Sequence, residues 1–211
     1  MLLNHFSQRH FIRLVSTQSR RADLNPWELS QKHVALGRFL AAELVDKLPI
    51  EPCDIAHPQG VRQGWKLANE GDNVLLCLMR SGLYVTEGVR EVLPNAPVFH
   101  VVPNRNEGLS EADFSSMPAP AGRTFILIDA VVNTGASIEP VLKQLILRGA
   151  KTVVVLSLVS PVTTAQRLAT EYPEVHFFFA RISNNQYVGH GASDTGNRLL
   201  GTFPSVKGGD Q

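Results

Sequence analysis

The chain has 211 residues, 44% of them hydrophobic and 18% charged, with a formal net charge of +1. That length suits one α/β domain with a sizeable core, so the whole chain is read as a single domain, residues 1–211. The near-neutral balance excludes a global field for nucleic acid or an anionic membrane surface, but not a local anion site. No run is apolar for long enough to span a bilayer, so neither nucleic acid nor membrane is expected as a partner.

The first 22 residues carry Arg9, Arg13, Arg20 and Arg21 ahead of the first acid, Asp23. An Arg-rich, acid-poor start suits a transit peptide; the alternative is an arm packed on the domain or on a neighbouring subunit. A helix is predicted over about 26–48. Asn25 caps it, Pro26 takes the first position and Glu28 completes a capping box. Leu36, Leu40, Leu44 and Leu48 give it one apolar face. Residues 49–73 read as connecting structure. Residues 74–79 form an unbroken apolar run, the mark of a strand buried on both faces. A helix over 82–93 and a strand over 98–102 follow. Residues 103–123 show no period and predict a mobile hairpin or loop. Strand 125–128 ends at Asp129. Ile138, Val141, Leu142, Leu145 and Ile146 then mark a helix, closed by Gly149. Strand 152–159, helix 163–172 and strand 175–180 complete the series, ahead of a polar, glycine-rich tail. This alternation predicts a parallel sheet of about five strands flanked by helices, Rossmann-like in layout. Cys53 and Cys77 have no metal-ligand or redox spacing and read as reduced thiols, consistent with the cytoplasm.

In such a sheet, ligands bind beyond the carboxyl ends of the strands. The segment there is Asp129, Ala130, Val131, Val132, Asn133, Thr134, Gly135, Ala136 and Ser137. Thr134 and Ser137 offer hydroxyls, Gly135 and Ala136 let backbone N–H groups approach an anion, and the following helix aims its positive end at the same place. A carboxylate beside a phosphate cradle suits a sugar phosphate. The lysine of a nucleoside-triphosphate loop is missing. On its own the segment also fits an ordinary strand-to-helix turn.

The segment 125–137 resembles the phosphoribosyl-diphosphate motif of type I phosphoribosyltransferases. Leu78-Met79-Arg80-Ser81-Gly82-Leu83, Arg105-Asn106-Glu107, Leu147-Arg148-Gly149-Ala150-Lys151 and the tail 187–202 resemble segments of the uracil phosphoribosyltransferases in particular. The likeness includes the Arg-rich start, which favours reading that start as part of the domain. It implies a phosphoribosyltransferase fold, transfer of ribose 5-phosphate from phosphoribosyl diphosphate to uracil, Mg²⁺ carried with the diphosphate rather than in a protein cage, and a homo-oligomer. It implies roles too. Arg80 and Arg105 would bind the diphosphate, Asp129 the ribose hydroxyls and residues 132–137 the 5-phosphate. Val188, Ser193, Asp194 and Thr195 would face the base, Asp194 would also touch phosphoribosyl diphosphate, and Asp129 and Asp194 would be the catalytic acids. The departures are Ala130 for proline, Ala136 for the second glycine of the cradle, His190 for proline, Ser193 for glycine and Ser116 for lysine. They leave open a different base or a non-catalytic binder. A methyl at Ala136 would also be strained if that position required a positive φ.

Overall fold

In a computed structural model of the chain, residues 2–187 and 189–202 are described. In chain order the elements are β1 (Leu3–His5), α1 (His10–Ser19), α2 (Pro26–Val45), β2 (Ile50–His57), β3 (Gly60–Leu67), β4 (Asn73–Leu78), α3 (Leu83–Arg90), β5 (Val98–Val101), α4 (Glu111–Ser116), β6 (Thr124–Val131), α5 (Glu139–Leu147), β7 (Thr152–Pro161), α6 (Val162–Glu171), β8 (His176–Ser183) and α7 (Thr195–Leu200). Six strands form one sheet in the order β1-β8-β7-β6-β4-β5, every neighbouring pair parallel.

Side chains alternate across the central strands and build a core on each face. Phe177 and Phe179 join Leu76, Leu127 and Val155 under α5 and α6. Phe178 joins Leu75, Ile126 and Leu156 under α2 and α3. This is why those strands read as continuous apolar runs. Helix α2 starts as expected: Asn25 Oδ1 accepts from the Glu28 N–H at 2.9 Å, and Glu28 Oε2 accepts from the Asn25 N–H at 3.2 Å. It packs against α3 closely enough that a Cβ on Gly88 would lie 2.0 Å from the Val34 carbonyl oxygen. A larger residue there would push the helices apart.

Three expectations need correction. The sheet gains a sixth strand, β1, too short to carry a period, with Leu3 opposite Phe177 and His5 opposite Phe179. Phe6 then packs edge-on to Phe39 at 5.3 Å and Ile12 is fully buried. The Arg-rich start therefore builds a strand and a helix of this fold. Residues 50–67, expected as connecting structure, form the antiparallel hairpin β2–β3, paired from Ile50–Leu67 to His57–Gly60. Most of the hairpin's residues are exposed. It therefore has no buried side within the chain, and Pro52 and Gly64 obscure its pattern further. Finally, residues 103–123 do not form a free loop. Ser110 and Asp113 form a capping box that starts α4, and Phe114 and Met117 are buried in the core. Gln144 of α5 holds the preceding turn, donating to the carbonyls of Glu107 and Leu109 and accepting from the Leu109 N–H. Among the described residues, no helix is long and apolar enough to cross a membrane.

Candidate active site

Strands β4 and β6 are adjacent and parallel, so their carboxyl ends bring Arg80 and Asp129 together. Two adjoining cavities of about 330 and 360 Å³ open there. Ser81, Arg105, Asp129, Ser137 and Asp194 line both. Residues separated by more than 100 positions in the chain thus face one space.

Asp129 lies at the bottom of the site. Its carboxyl accepts from the Ser81 hydroxyl and, at 3.5 Å, from the Val131 N–H. Burial pushes its pKa up to about 6, and the hydrogen bonds from Ser81 and the backbone only partly offset that. The carboxyl is therefore ionised at neutral pH but stands near its titration point.

Strand β6 runs on to Val131, and the Val132 N–H still donates to Val159 at 3.0 Å. The turn proper is thus shorter than the motif, covering 133–138. Ala130 is buried with the α2 side of the core and lines neither cavity. Its methyl faces neither of the two cavities. Val132 to Ser137 line the second cavity. Gly135 has φ +88°, a conformation suited to glycine, and its carbonyl accepts from the Ile138 and Glu139 N–H groups as α5 begins. Ala136 carries no such burden, because the only described non-glycine residue with positive φ is Asn69. The strain feared at Ala136 is absent.

Helix α6 clamps this turn. Thr164 donates to the Asn133 carbonyl at 2.7 Å. Arg167 donates to the Thr134 carbonyl at 2.8 Å and to Glu139 at 2.6 Å. Neither residue is legible as a site residue from sequence, because its partner lies about 30 positions away and its own helix shows only an ordinary apolar face.

The tail closes the opposite wall. Asp194 caps α7, accepting from the Asn197 N–H at 2.9 Å, and stands 3.6 Å from Arg80. Arg80 also donates to Asn197 Oδ1 at 3.0 Å and to Thr202 Oγ1 at 3.2 Å. The Tyr187 hydroxyl donates to the Ser193 carbonyl. Thr195 and His190 line the second cavity; Ser193 does not. Val188 lies outside the described residues. Arg105 lines both cavities from the turn bridged between Asn104 and Gly108, and it is exposed.

The site therefore has a guanidinium end at Arg80 and Arg105, a carboxylate centre at Asp129, a glycine-containing turn at a helix start, and a tail wall. A profile of the family described as uracil phosphoribosyltransferase matches residues 6–202. Among curated proteins, the chain is 27% identical over 208 residues to the uracil phosphoribosyltransferase of Lactobacillus gasseri, covering 95% of this chain and 97% of that one. It is 25% identical over 193 residues to that of Dictyoglomus thermophilum, covering 88% and 93%. Among solved structures, AQ2163 protein from Aquifex aeolicus shares the fold at a TM-score of 0.75 and 22% identity, covering 93% of this chain and 97% of that one. TT1426 from Thermus thermophilus does so at 0.51 and 16%, covering 82% and 98%. The chain belongs to the uracil phosphoribosyltransferase family, an enzyme family of the phosphoribosyltransferase type.

Proposed function

We propose that this chain transfers ribose 5-phosphate from Mg²⁺–phosphoribosyl diphosphate to uracil, giving UMP and diphosphate. The observation that carries this is the convergence of Arg80, Arg105, Asp129, the turn 133–137 and Asp194 on one pair of adjoining cavities. The guanidinium groups suit the diphosphate, since each offers several donors in a fixed fork. The Asp129 carboxylate accepts from the ribose 2- and 3-hydroxyls. The turn and the start of α5 hold the 5-phosphate. Asp194 and Thr195 place the base.

The reaction breaks the bond from the anomeric carbon to the diphosphate oxygen and forms one from that carbon to the uracil nitrogen, whose proton passes to water as diphosphate leaves. Positive charge builds on the ribose as the bond breaks, and the carboxylate of Asp129, which lines both cavities, opposes that charge. Mg²⁺ enters with the diphosphate as part of the substrate. Asp129, Asp194, Ser81 and Ser137, which line the first cavity, would offer oxygens suited to a hard cation that keeps several waters. Positioning supplies much of the rate, because the side chains themselves do no covalent chemistry. The test is diphosphate release with Mg²⁺, phosphoribosyl diphosphate and a panel of bases. Release that depends on uracil is expected, and a chain that releases none with uracil overturns the reading.

The same reading makes the enzyme a cytoplasmic homo-oligomer. Supporting the oligomer, one face of the hairpin β2–β3 holds Val61 and Trp65 about two-thirds exposed, at 67% and 70%, with Ile50 on the same face also in solvent. A second copy would cover them. Trp65→Ser is expected to shift the chain to a smaller species in light scattering after size exclusion; an unchanged mass places the interface elsewhere.

A further inference from the structure

A third cavity, of about 370 Å³, lies behind the base wall of the site. Its floor is apolar, supplied by Leu29 and Leu36 of α2 and Leu158 of β7. Three arginines from three segments face it: Arg20 just after α1, Arg181 on β8 and Arg198 on α7. No aspartate or glutamate lines it. Arg20 donates to the Ser16 carbonyl at 3.1 Å and Arg198 to the Arg21 carbonyl at 2.7 Å. Carbonyls thus hold these two in place without neutralising them. Among the described residues, none of the three arginines is paired with a carboxylate. Burial and then the nearby Arg20 both push the Arg181 guanidinium below its ordinary pKa. His33 completes the lining. It is 6% exposed, and its Nδ1 finds no hydrogen-bond partner among the described residues. Burial, followed by the charge on Arg198, lowers its pKa to about 4, so the ring is neutral at pH 7 and adds no further positive charge.

Like charges gathered in a recessed space repel unless a counter-charge sits among them. Guanidinium forks are the groups best matched to planar carboxylates and phosphates. We propose that this cavity binds a small anion, a phosphate or carboxylate group, held by Arg20, Arg181 and Arg198. Val131, Tyr187 and Thr195 line both this cavity and the base half of the active site. The anion therefore has two sources. It is a charged substituent on the acceptor base reaching past Val131 and Thr195, or it is a separate molecule one wall away that sets the position of Tyr187. Binding of the anion does not rest on the uracil assignment and is tested by binding rather than turnover; telling its two sources apart rests on the acceptor reading above.

The experiment is a titration of the full chain with inorganic phosphate, followed by NMR of the His33 ring. The His33 signal is assigned with His33→Gln. His33 lines neither active-site cavity, so phosphate in the 133–137 turn does not report there directly. A saturable shift is expected, with its midpoint raised about tenfold or more by Arg181→Ala, the loss of a charge-assisted pair of hydrogen bonds. Arg20→Ala, an exposed position, repeats the test should Arg181→Ala fail to fold. No saturable shift, or a midpoint that neither variant moves, overturns the proposal. Saturating uracil separates the sources. Competition, together with use of a pyrimidine carboxylate such as orotate as acceptor, means the anion belongs to the base. Simultaneous binding means a separate anion.

Discussion

Asp129→Asn is expected to lower kcat/KM for phosphoribosyl diphosphate by about 100-fold or more, and at the same time to raise the melting temperature of the ligand-free chain. The activity loss follows from chemistry. Asparagine cannot accept two charge-assisted hydrogen bonds from a diol, each worth about 1.5–3 kcal/mol, and it cannot oppose positive charge growing on the ribose. The stability gain follows from burial. The folded-state pKa of Asp129 is raised from 3.8 to about 6, so the folded chain holds this proton more tightly than the unfolded chain does. Below the unfolded pKa the carboxyl is neutral in both states and costs nothing. As pH rises from there the unfolded chain ionises freely while the folded chain keeps its proton, until the folded group too ionises as pH passes 6, and across that window this site's contribution to stability falls by about 3 kcal/mol. Asparagine avoids that cost and keeps an oxygen for the Ser81 hydroxyl. The gain in melting temperature should therefore be several degrees at pH 8 and vanish near pH 4. Equal shifts at both pH values would show that ionisation of Asp129 is not what destabilises the wild type. In parallel, wild-type kcat/KM should climb about tenfold per pH unit below pH 6 and level off above it, and this limb should be missing in the variant.

The four central strands β4, β6, β7 and β8 were legible because they are buried on both faces and flanked by helices with one apolar side. Asp129 and the turn after it were legible because a strand end, small residues and a helix start are local features. What sequence could not show depends on distance or on exposure. The clamp of Thr164 and Arg167 on the turn is a contact between α6 and the start of α5, with nothing local to mark it. The hairpin β2–β3 has no buried side to impose a period. Residues 103–123 lack a period because α4 is only six residues long and is held by its cap, by Phe114 and by Gln144 of another helix. In the motif itself, Ala130 proved to belong to the core. Gly135, rather than Ala136, carries the unusual backbone, so Ala136 sits in a conformation that alanine adopts without strain.

Arg80→Ala is expected to damage both halves of the site, whereas Arg105→Ala should damage one. Arg80 stands at the end of β4 with its guanidinium spread over three tail groups: Thr202 at 3.2 Å, Asn197 at 3.0 Å and Asp194 at 3.6 Å. The tail also packs closely on this side chain, since a Cβ on Gly196 would lie 3.3 Å from Arg80 Cβ. The same guanidinium lines the cavity assigned to the diphosphate. Truncating it removes a cation from the leaving group and, with it, the polar anchor that holds α7 and the base wall against β4. KM for phosphoribosyl diphosphate and KM for the base should therefore both rise, with kcat/KM down about 100–1000-fold, as expected for losing charge-assisted bonds at two places. Amide exchange over 190–200 should quicken in the ligand-free variant. Arg105 is exposed on its turn and makes no hydrogen bond to the tail among the described residues, so Arg105→Ala should raise KM for phosphoribosyl diphosphate alone and leave exchange in the tail unchanged. Arg80→Lys keeps the charge but loses the fork. It should recover part of the diphosphate binding while the tail still exchanges fast. Such a split would separate the two duties of one side chain. If Arg80→Ala instead raised KM for phosphoribosyl diphosphate only, the base wall would be held by the Tyr187–Ser193 closure and the Asp194 cap rather than by Arg80, and order in the two halves of the site would be independent.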